Sequence, residues 1–368
     1  MGGIKYNYCM NYQKSTKYVL LKGLNKMKKV KVNVADCNEG QMLASDIFDE
    51  TGRLIVVKNT AINDYIKNRL LEMGIKSIYV FYNTGNHSNP VEFKESYEDD
   101  VNLVKEIINE LSSGKGLNYE NVKLLSDNIY ESVKTNYEII DCLNEVKRVD
   151  EYTYYHSLNV SLYSMLIGRW LELSEESIKD LIQAGILHDV GKCRISKEIL
   201  NKKDALLPDE FEKIKMHPVY GYVMAKTIPN LNDDIPQAIL THHEREDGSG
   251  YPFGLKGDEL NLYSKIIAIS DVYDALTSER AYKSRQTPFD SLRTIQNIGY
   301  GYFDTKILMT FLSNISSYYI GSKVLMNTGD SGYVAYVDPL RVYYPIVCIK
   351  SDYYDLSKEK SLKIDRML

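Results

Sequence analysis

Five of the six histidines in this 368-residue chain fall between positions 156 and 243, each in a distinctive local phrase. The phrases are Tyr152-Thr153-Tyr154-Tyr155-His156-Ser157, Leu187-His188-Asp189-Val190-Gly191-Lys192, Met216-His217-Pro218 and Thr241-His242-His243-Glu244, followed by Ser270-Asp271-Val272-Tyr273-Asp274. Only His87 lies elsewhere, in a polar stretch where a solvated loop histidine is the simplest reading. Neutral imidazole and carboxylate together suit Mn, Fe, Zn and similar ions. A histidine-poor chain that gathers its imidazoles beside aspartates points to a metal centre, and a hydrolase is the leading reading.

The formal net charge of −5 opposes a nonspecific binder of DNA or RNA duplex, which needs a basic excess. A small phosphorylated substrate remains compatible, because a metal and a few local cations suffice to hold it. Cys9, Cys37, Cys142, Cys193 and Cys348 are odd in number and form no C-x-x-C pair, which fits free thiols in a reducing compartment. No apolar run approaches the roughly 20 residues needed to span a bilayer, and residues 18–21 are too short, between lysines, for a signal-peptide core. A cytoplasmic protein without membrane contact is expected.

Patterning divides the chain. Residues 1–27 read as a flexible extension, with Met27 as an alternative start. Residues 28–82 read as a small α/β N-terminal domain: strands at 30–34 and 54–57, a helix from Ile62 to Met73 stopped by Gly74, and a closing strand at 77–80. Residues 83–96 suit a linker. From 97 to 317 the period is helical; Val101, Val104, Ile107, Ile108 and Leu111 form an apolar stripe, and helices are expected over 119–145, 153–171 and 174–189. Residues 318–368 read as a short β-rich tail with strands at 323–326, 332–337 and 345–350. The tail has no arginine-rich signature for nucleotide and is expected to cap the helical domain. The fold class expected is mainly α.

His188 and Asp189 end a helix, where neighbouring side chains diverge by about 100°. A carboxylate has two oxygens and can bridge two ions. The ordered set Tyr-Thr-x-x-His-Ser, His-Asp-x-Gly-Lys, His-Pro, His-His-Glu-Arg-x-Asp-Gly-Ser-Gly-Tyr-Pro and Ser-Asp-x-Tyr-Asp-Ala-Leu-Thr-Ser resembles the HD-GYP subgroup of the HD phosphohydrolase superfamily, over residues 125–315. The naming residues are His188-Asp189 and Gly250-Tyr251-Pro252. The resemblance implies a metal-dependent phosphodiesterase that hydrolyses cyclic di-GMP to pGpG, or on to GMP, through a metal-bridging hydroxide in bacterial signalling. It implies two divalent ions, Fe or Mn. One would take His156, His188 and Asp271, the other His217, His242 and His243, with Asp189 bridging. Some members hold a third ion through a carboxylate where this chain has Tyr152; Glu151 is one residue off, which favours two ions and pGpG as the main product.

The resemblance also gives catalytic roles to His188, Asp189 and Lys192, and substrate contacts to Lys192, Tyr251, Arg280 and Lys283, with Gly248 and Gly250 shaping a tight loop. Asp274 is expected to orient the site rather than bind metal, Asn159 and Ser157 to hydrogen-bond His156, and Glu244 and Asp247 to stabilise the loop. Cys193 is expected to be a small buried residue. Two other readings stay open: hydrolysis of another cyclic dinucleotide or nucleotide, and a non-catalytic module binding a nucleotide or a partner. A homodimer is compatible with helical enzymes of this type.

Overall fold

The computed structural model describes residues 29–81, 90–114, 119–132, 152–202, 204–278 and 287–368. The N-terminal extension, His87, Cys9, Cys142, Glu151, Arg280 and Lys283 lie outside the described residues.

The first unit comprises β1 (Lys29–Asn33), β2 (Ile47–Phe48), β3 (Leu54–Val56), α1 (Asp64–Glu72) and β4 (Ser77–Phe81). β1 and β4 pair antiparallel, with Val30 opposite Val80 and Val32 opposite Ile78. Asn63 caps α1 by accepting the Ile66 amide at 2.9 Å. Gly74, at φ +75, ends the helix in the left-handed region that glycine enters without a steric penalty.

Eleven further helices follow among the described residues: α2 (Pro90–Ser112), α3 (Tyr119–Ser132), α4 (Tyr152–Trp170), α5 (Glu175–Leu187), α6 (Lys197–Leu200), α7 (Pro208–Ile214), α8 (His217–Ala225), α9 (Asp234–Thr241), α10 (Leu262–Thr277), α11 (Pro288–Gly299) and α12 (Thr305–Ser317). α2 starts inside the stretch read as linker. Proline is tolerated in a first helical turn, where its missing N–H has no intrahelical role. The expected helix 119–145 is described to Ser132, and its remainder lies outside the described residues. α4 is the central helix, buried on all sides from Tyr155 to Gly168, with α2, α5, α10 and α12 packed around it. Its interior polar residues are small, and that lets neighbours approach closely. A Cβ at Gly185 of α5 would stand 2.5 Å from the Ser161 Cα.

The chain ends in an antiparallel five-stranded sheet of β5 (Lys323–Met326), β6 (Ser331–Tyr336), β7 (Ile346–Ile349), β8 (Asp352–Asp355) and β9 (Ile364–Met367), in the order β8-β7-β6-β5-β9. The three inner strands are those expected. The two edge strands, Asp-Tyr-Tyr-Asp and Ile-Asp-Arg-Met, carry charge instead of apolar alternation, as solvent-facing edges do, and give no periodic signal. The expectation that the tail caps the helical domain needs correction. Tyr336 Oη donates to the Ile55 carbonyl at 2.6 Å, Asn63 Nδ2 donates to the Ala335 carbonyl at 2.8 Å, and Arg53 pairs with Asp338 at 2.6 Å. The sheet thus docks on the first unit, and it touches the helices through Arg293 of α11, which lies 5.2 Å from the Tyr343 and Tyr344 ring centroids. No described helix is long and apolar enough to cross a membrane.

One close backbone approach positions the centre of the helical part. After α5 the chain turns through a 3-10 helix, Val190–Arg194, that lies against the start of α8. A Cβ on Gly191 would come within 2.0 Å of the His217 carbonyl oxygen and 2.4 Å of the Gly221 nitrogen. Only glycine lets Asp189 and His217 sit side by side. Gly191→Ala is therefore expected to destabilise the fold by about 1–3 kcal/mol, the usual cost of overpacking. An unchanged urea midpoint would contradict the packing described.

Candidate metal centre

The side chains singled out by the motifs stand mostly at helix ends. His156 comes from the first half of α4, His188 and Asp189 follow α5, and His217 opens α8. His242 and His243 follow α9, and Asp271 lies within α10. The fold brings all seven together as two groups: Asp189, His217, His242 and His243, and His156, His188 and Asp271. Within each group, one ligand atom per residue lies within 4.8 Å of the others. Asp189 straddles them. Its Oδ2 is 3.5 Å from His156 Nε2 and 3.4 Å from His188 Nε2, whereas its Oδ1 is 3.2 Å from His217 Nε2.

Backbone carbonyls set the direction of three imidazoles. Nδ1 of His188, His217 and His242 lies 2.8, 2.7 and 2.7 Å from the carbonyl oxygens of Gly185, Ile214 and Ile239, three residues earlier in each case. A carbonyl only accepts, so each Nδ1 holds the hydrogen and each Nε2 turns a bare lone pair inward. His217 Nε2 and His242 Nε2 then face each other at 3.4 Å. His188 Nε2 and Asp189 Oδ1 are buried without a hydrogen-bond partner. Buried lone pairs aimed at one another are unfavourable by themselves. A cation among them resolves the conflict, and the donor set of imidazoles and carboxylates fits a divalent metal.

Electrostatics point the same way. Burial opposes charge on Asp189, yet the carboxyl is held well below the usual carboxylate range, with the Lys192 ammonium beside it the leading cause. Asp271 is likewise held well below that range, by His156 against the effect of burial. Burial drives His243 down to about 3 and His242 well below the ordinary histidine range, so both are neutral at pH 7. His156 is the exception. Burial disfavours its charge, but hydrogen bonds with Asp271 (3.1 Å) and Asp274 (2.7 Å) prevail and raise it to about 9.

A buried chain holds His156 in place. Asp274 Oδ2 faces His156 Nδ1, Asp274 Oδ1 accepts from Asn159 Nδ2 at 2.8 Å, and Asn159 Oδ1 accepts from Tyr97 Oη at 2.6 Å. Asp274 has the orienting role expected of it, and Asn159 acts through Asp274 rather than directly on His156. Ser157 does not support His156, because its Oγ, buried in the α4 core, has no partner. Tyr97 carries no motif signal, since its partner is 62 residues away.

The Gly-Tyr-Pro loop closes over this group. Buried Glu244 accepts the amides of Phe253, Gly254 and Leu255 at 2.7, 3.1 and 3.1 Å. Asp247 accepts the Ser249 amide at 2.9 Å. Gly248 adopts φ +80, and a Cβ on Gly250 would stand 2.4 Å from the Glu244 Cα. Tyr251 is thereby stacked on His243, with centroids 4.7 Å apart and planes 29° from parallel. Lys192 Nζ donates to Asp189 Oδ2 at 2.5 Å. Sequence reading missed Lys215, whose Nζ lies 6.0 Å from the Tyr251 ring centroid and 5.4 Å from that of Phe211. Cys193 is exposed rather than buried, because the 3-10 helix turns it outward.

Comparison with known proteins agrees with this geometry. The family model described as "HD domain" matches residues 106–307. A cyclic di-GMP phosphodiesterase of Pseudomonas aeruginosa is 34% identical over 221 residues, covering 60% of this chain and 53% of that protein. A 3'3'-cGAMP-specific phosphodiesterase of Vibrio cholerae is 37% identical over 145 residues, covering 39% of this chain and 31% of that one. The chain thus spans about half the length, or less, of these curated relatives. Among solved structures, the Bdellovibrio bacteriovorus protein Bd1817, described as an HDG"Y"P protein, superposes with a TM-score of 0.52 at 13% identity, over 77% of this chain and 98% of that chain, which shows a shared fold. With its family model spanning more than half the sequence and its His-Asp and Gly-Tyr-Pro elements gathered at one buried centre, the chain belongs to the HD-domain family, in its HD-GYP branch.

Proposed function

We propose that the chain is a metal-dependent phosphodiesterase that hydrolyses cyclic di-GMP to linear pGpG. The observation that supports this most is Asp189, one carboxylate with an oxygen turned toward each ligand group. His156, His188 and Asp271 would hold one divalent ion, Fe or Mn, and His217, His242 and His243 the other, with Asp189 shared. Such a pair supplies an acidified water and charge neutralisation for an in-line displacement at phosphorus.

The chain's own residues do the rest. Water adds to one phosphorus as its bond to a ribose 3′ oxygen breaks, and that oxygen leaves with a proton as a free hydroxyl. Lys192, about one third exposed beside Asp189, presents its ammonium to the phosphate oxygens where charge builds up. Tyr251, fixed over His243, offers a ring face to a guanine base. Arg280 and Lys283 are assigned to the phosphates by their place after the Asp271 motif. A second reading, hydrolysis of a mixed cyclic dinucleotide, is favoured by the similarity to the Vibrio cholerae 3'3'-cGAMP-specific enzyme. Action in the cytoplasm is part of the same proposal.

The deciding experiment loads purified protein anaerobically with Fe(II) or Mn(II) and supplies cyclic di-GMP and 3'3'-cGAMP separately. Conversion of cyclic di-GMP to pGpG, lost in the His188→Ala/Asp189→Ala double variant, is expected. Preferred turnover of 3'3'-cGAMP would select the second reading, and no turnover of either would end both. Lys192→Met is expected to lower kcat by about 10²-fold, the effect of removing one charge-stabilising donor. Metal analysis returning three ions per chain would overturn the two-ion count.

His156 makes metal uptake pH-dependent. Below about 9 the metal-free imidazole is protonated, and a metal must displace that proton. Uptake of Mn(II) at pH 7 is expected to release about one proton, and affinity to rise by up to about tenfold per pH unit until pH 9. Calorimetry in buffers of different ionisation enthalpy measures this, and zero release would contradict it. The sign for folding is opposite. In metal-free protein the raised His156 value stabilises fully below its ordinary value of 6.5, and that contribution is lost as pH climbs through about 9. Asp274→Asn, which removes the charge behind His156, is expected to weaken metal binding by about 10–100-fold, as losses of ligand-orienting partners do. Equal affinity in the variant would show that Asp274 is only structural.

A further inference from the structure

A cavity apart from the metal centre lies where α1 meets the C-terminal sheet. Its volume is about 230 Å³, and none of the seven histidines and aspartates of the metal centre lines it. Tyr65 and Arg69 of α1 form one side, and Tyr336, Tyr344 and Tyr353 contribute to the other. The Arg69 guanidinium carbon sits 4.9 Å from the Tyr336 ring centroid, so an aromatic face backs the cation. Arg69 Nε is buried with no hydrogen-bond partner.

The carboxylates at the cavity are already taken. Asp338 Oδ2 pairs with Arg53 at 2.6 Å and with Arg341 at 3.2 Å. Asp355 accepts the Ser357 amide and hydroxyl at 2.9 and 2.6 Å, with Lys358 3.7 Å away. No carboxylate among the described residues forms an ion pair with Arg69. Burial pushes Tyr336 up to about 12 and also raises Tyr65, so both phenols stay neutral and leave the charge of Arg69 uncompensated. A guanidinium laid over one ring and hydrogen-bonded to the Tyr65 and Tyr336 phenols still has further N–H donors, since it carries five, and these match a phosphate or carboxylate. Tyr65 and Tyr353, with centroids 4.9 Å apart and Tyr353 about half exposed, leave aromatic surface for a planar group beside that anion.

We propose that this junction is a binding site for a small planar anion, a ring bearing a phosphate or carboxylate, with the anion on Arg69 and the ring against the tyrosines. The bound molecule would clamp the first unit to the C-terminal sheet. It would also lie one contact from the catalytic helices, because Tyr344 carries Arg293 of α11, which packs against α10, the helix of Asp271.

The test is calorimetric titration of the full chain, in chelator, with GMP, AMP, benzoate and inorganic phosphate as separate probes. Saturable binding of at least one ring-bearing probe, tighter than inorganic phosphate, is expected. Nucleotide and benzoate arms separate a phosphate ligand from a carboxylate one. Arg69→Ala should weaken that binding by about tenfold or more, and Asp189→Ala should leave it unchanged. Should Arg69→Ala unfold, Tyr353→Ala alters a partly exposed ring and must itself weaken binding severalfold. The proposal is overturned if no probe binds at millimolar concentration, if binding survives both junction variants, if phosphate alone binds equally well, or if Asp189→Ala abolishes binding.

Discussion

Asp189 is the constraint around which the helical part is arranged. It is a buried carboxylate kept ionised, flanked on one side by His156 and His188 and on the other by His217. A buried charge survives only when neighbours compensate it. Here the compensation comes chiefly from Lys192, whose ammonium donates to Oδ2, while the imidazoles around the carboxylate leave further lone pairs without a partner. The unsatisfied part of that network is what makes the centre receptive to cations.

Rigidity at the centre comes from backbone rather than from side-chain contacts alone. Three imidazoles are anchored by carbonyls three residues earlier, the local geometry of a helix end. Gly191 lets the 3-10 helix lie against α8 at a distance any Cβ would forbid. Glu244, by collecting three loop amides, holds Tyr251 over His243. Each device fixes one direction of approach, so the clustered side chains are held in place by the fold itself.

The two ends of the described chain meet in a way that gives the protein a second focus. Tyr336, Asn63 and the Arg53–Asp338 pair join units more than 270 positions apart. Such long-range closure ties the flanking units to each other, and Arg293 ties them to the helices. At this junction Asp338 and Asp355 face Arg53, Arg341 and Lys358, and Arg69 adds a further cation with no carboxylate of its own, which is why the proposed ligand is an anion.

The sequence by itself determined the helical class, the identity of the seven convergent residues, the loop role of Glu244 and the orienting role of Asp274. The helical class follows from period, a local property, and the seven residues were named through the resemblance that their ordered motifs carry. What only the tertiary structure decided is everything that depends on separation along the chain: that Asn159 and Tyr97 reach His156 through Asp274, that Ser157 is buried away from it, that Cys193 turns outward, and that the C-terminal strands settle on α1. Periodicity says which face of an element is apolar, not which distant face it meets. That choice is made by shape and by the pairing of buried polar groups, and neither is written at any single position.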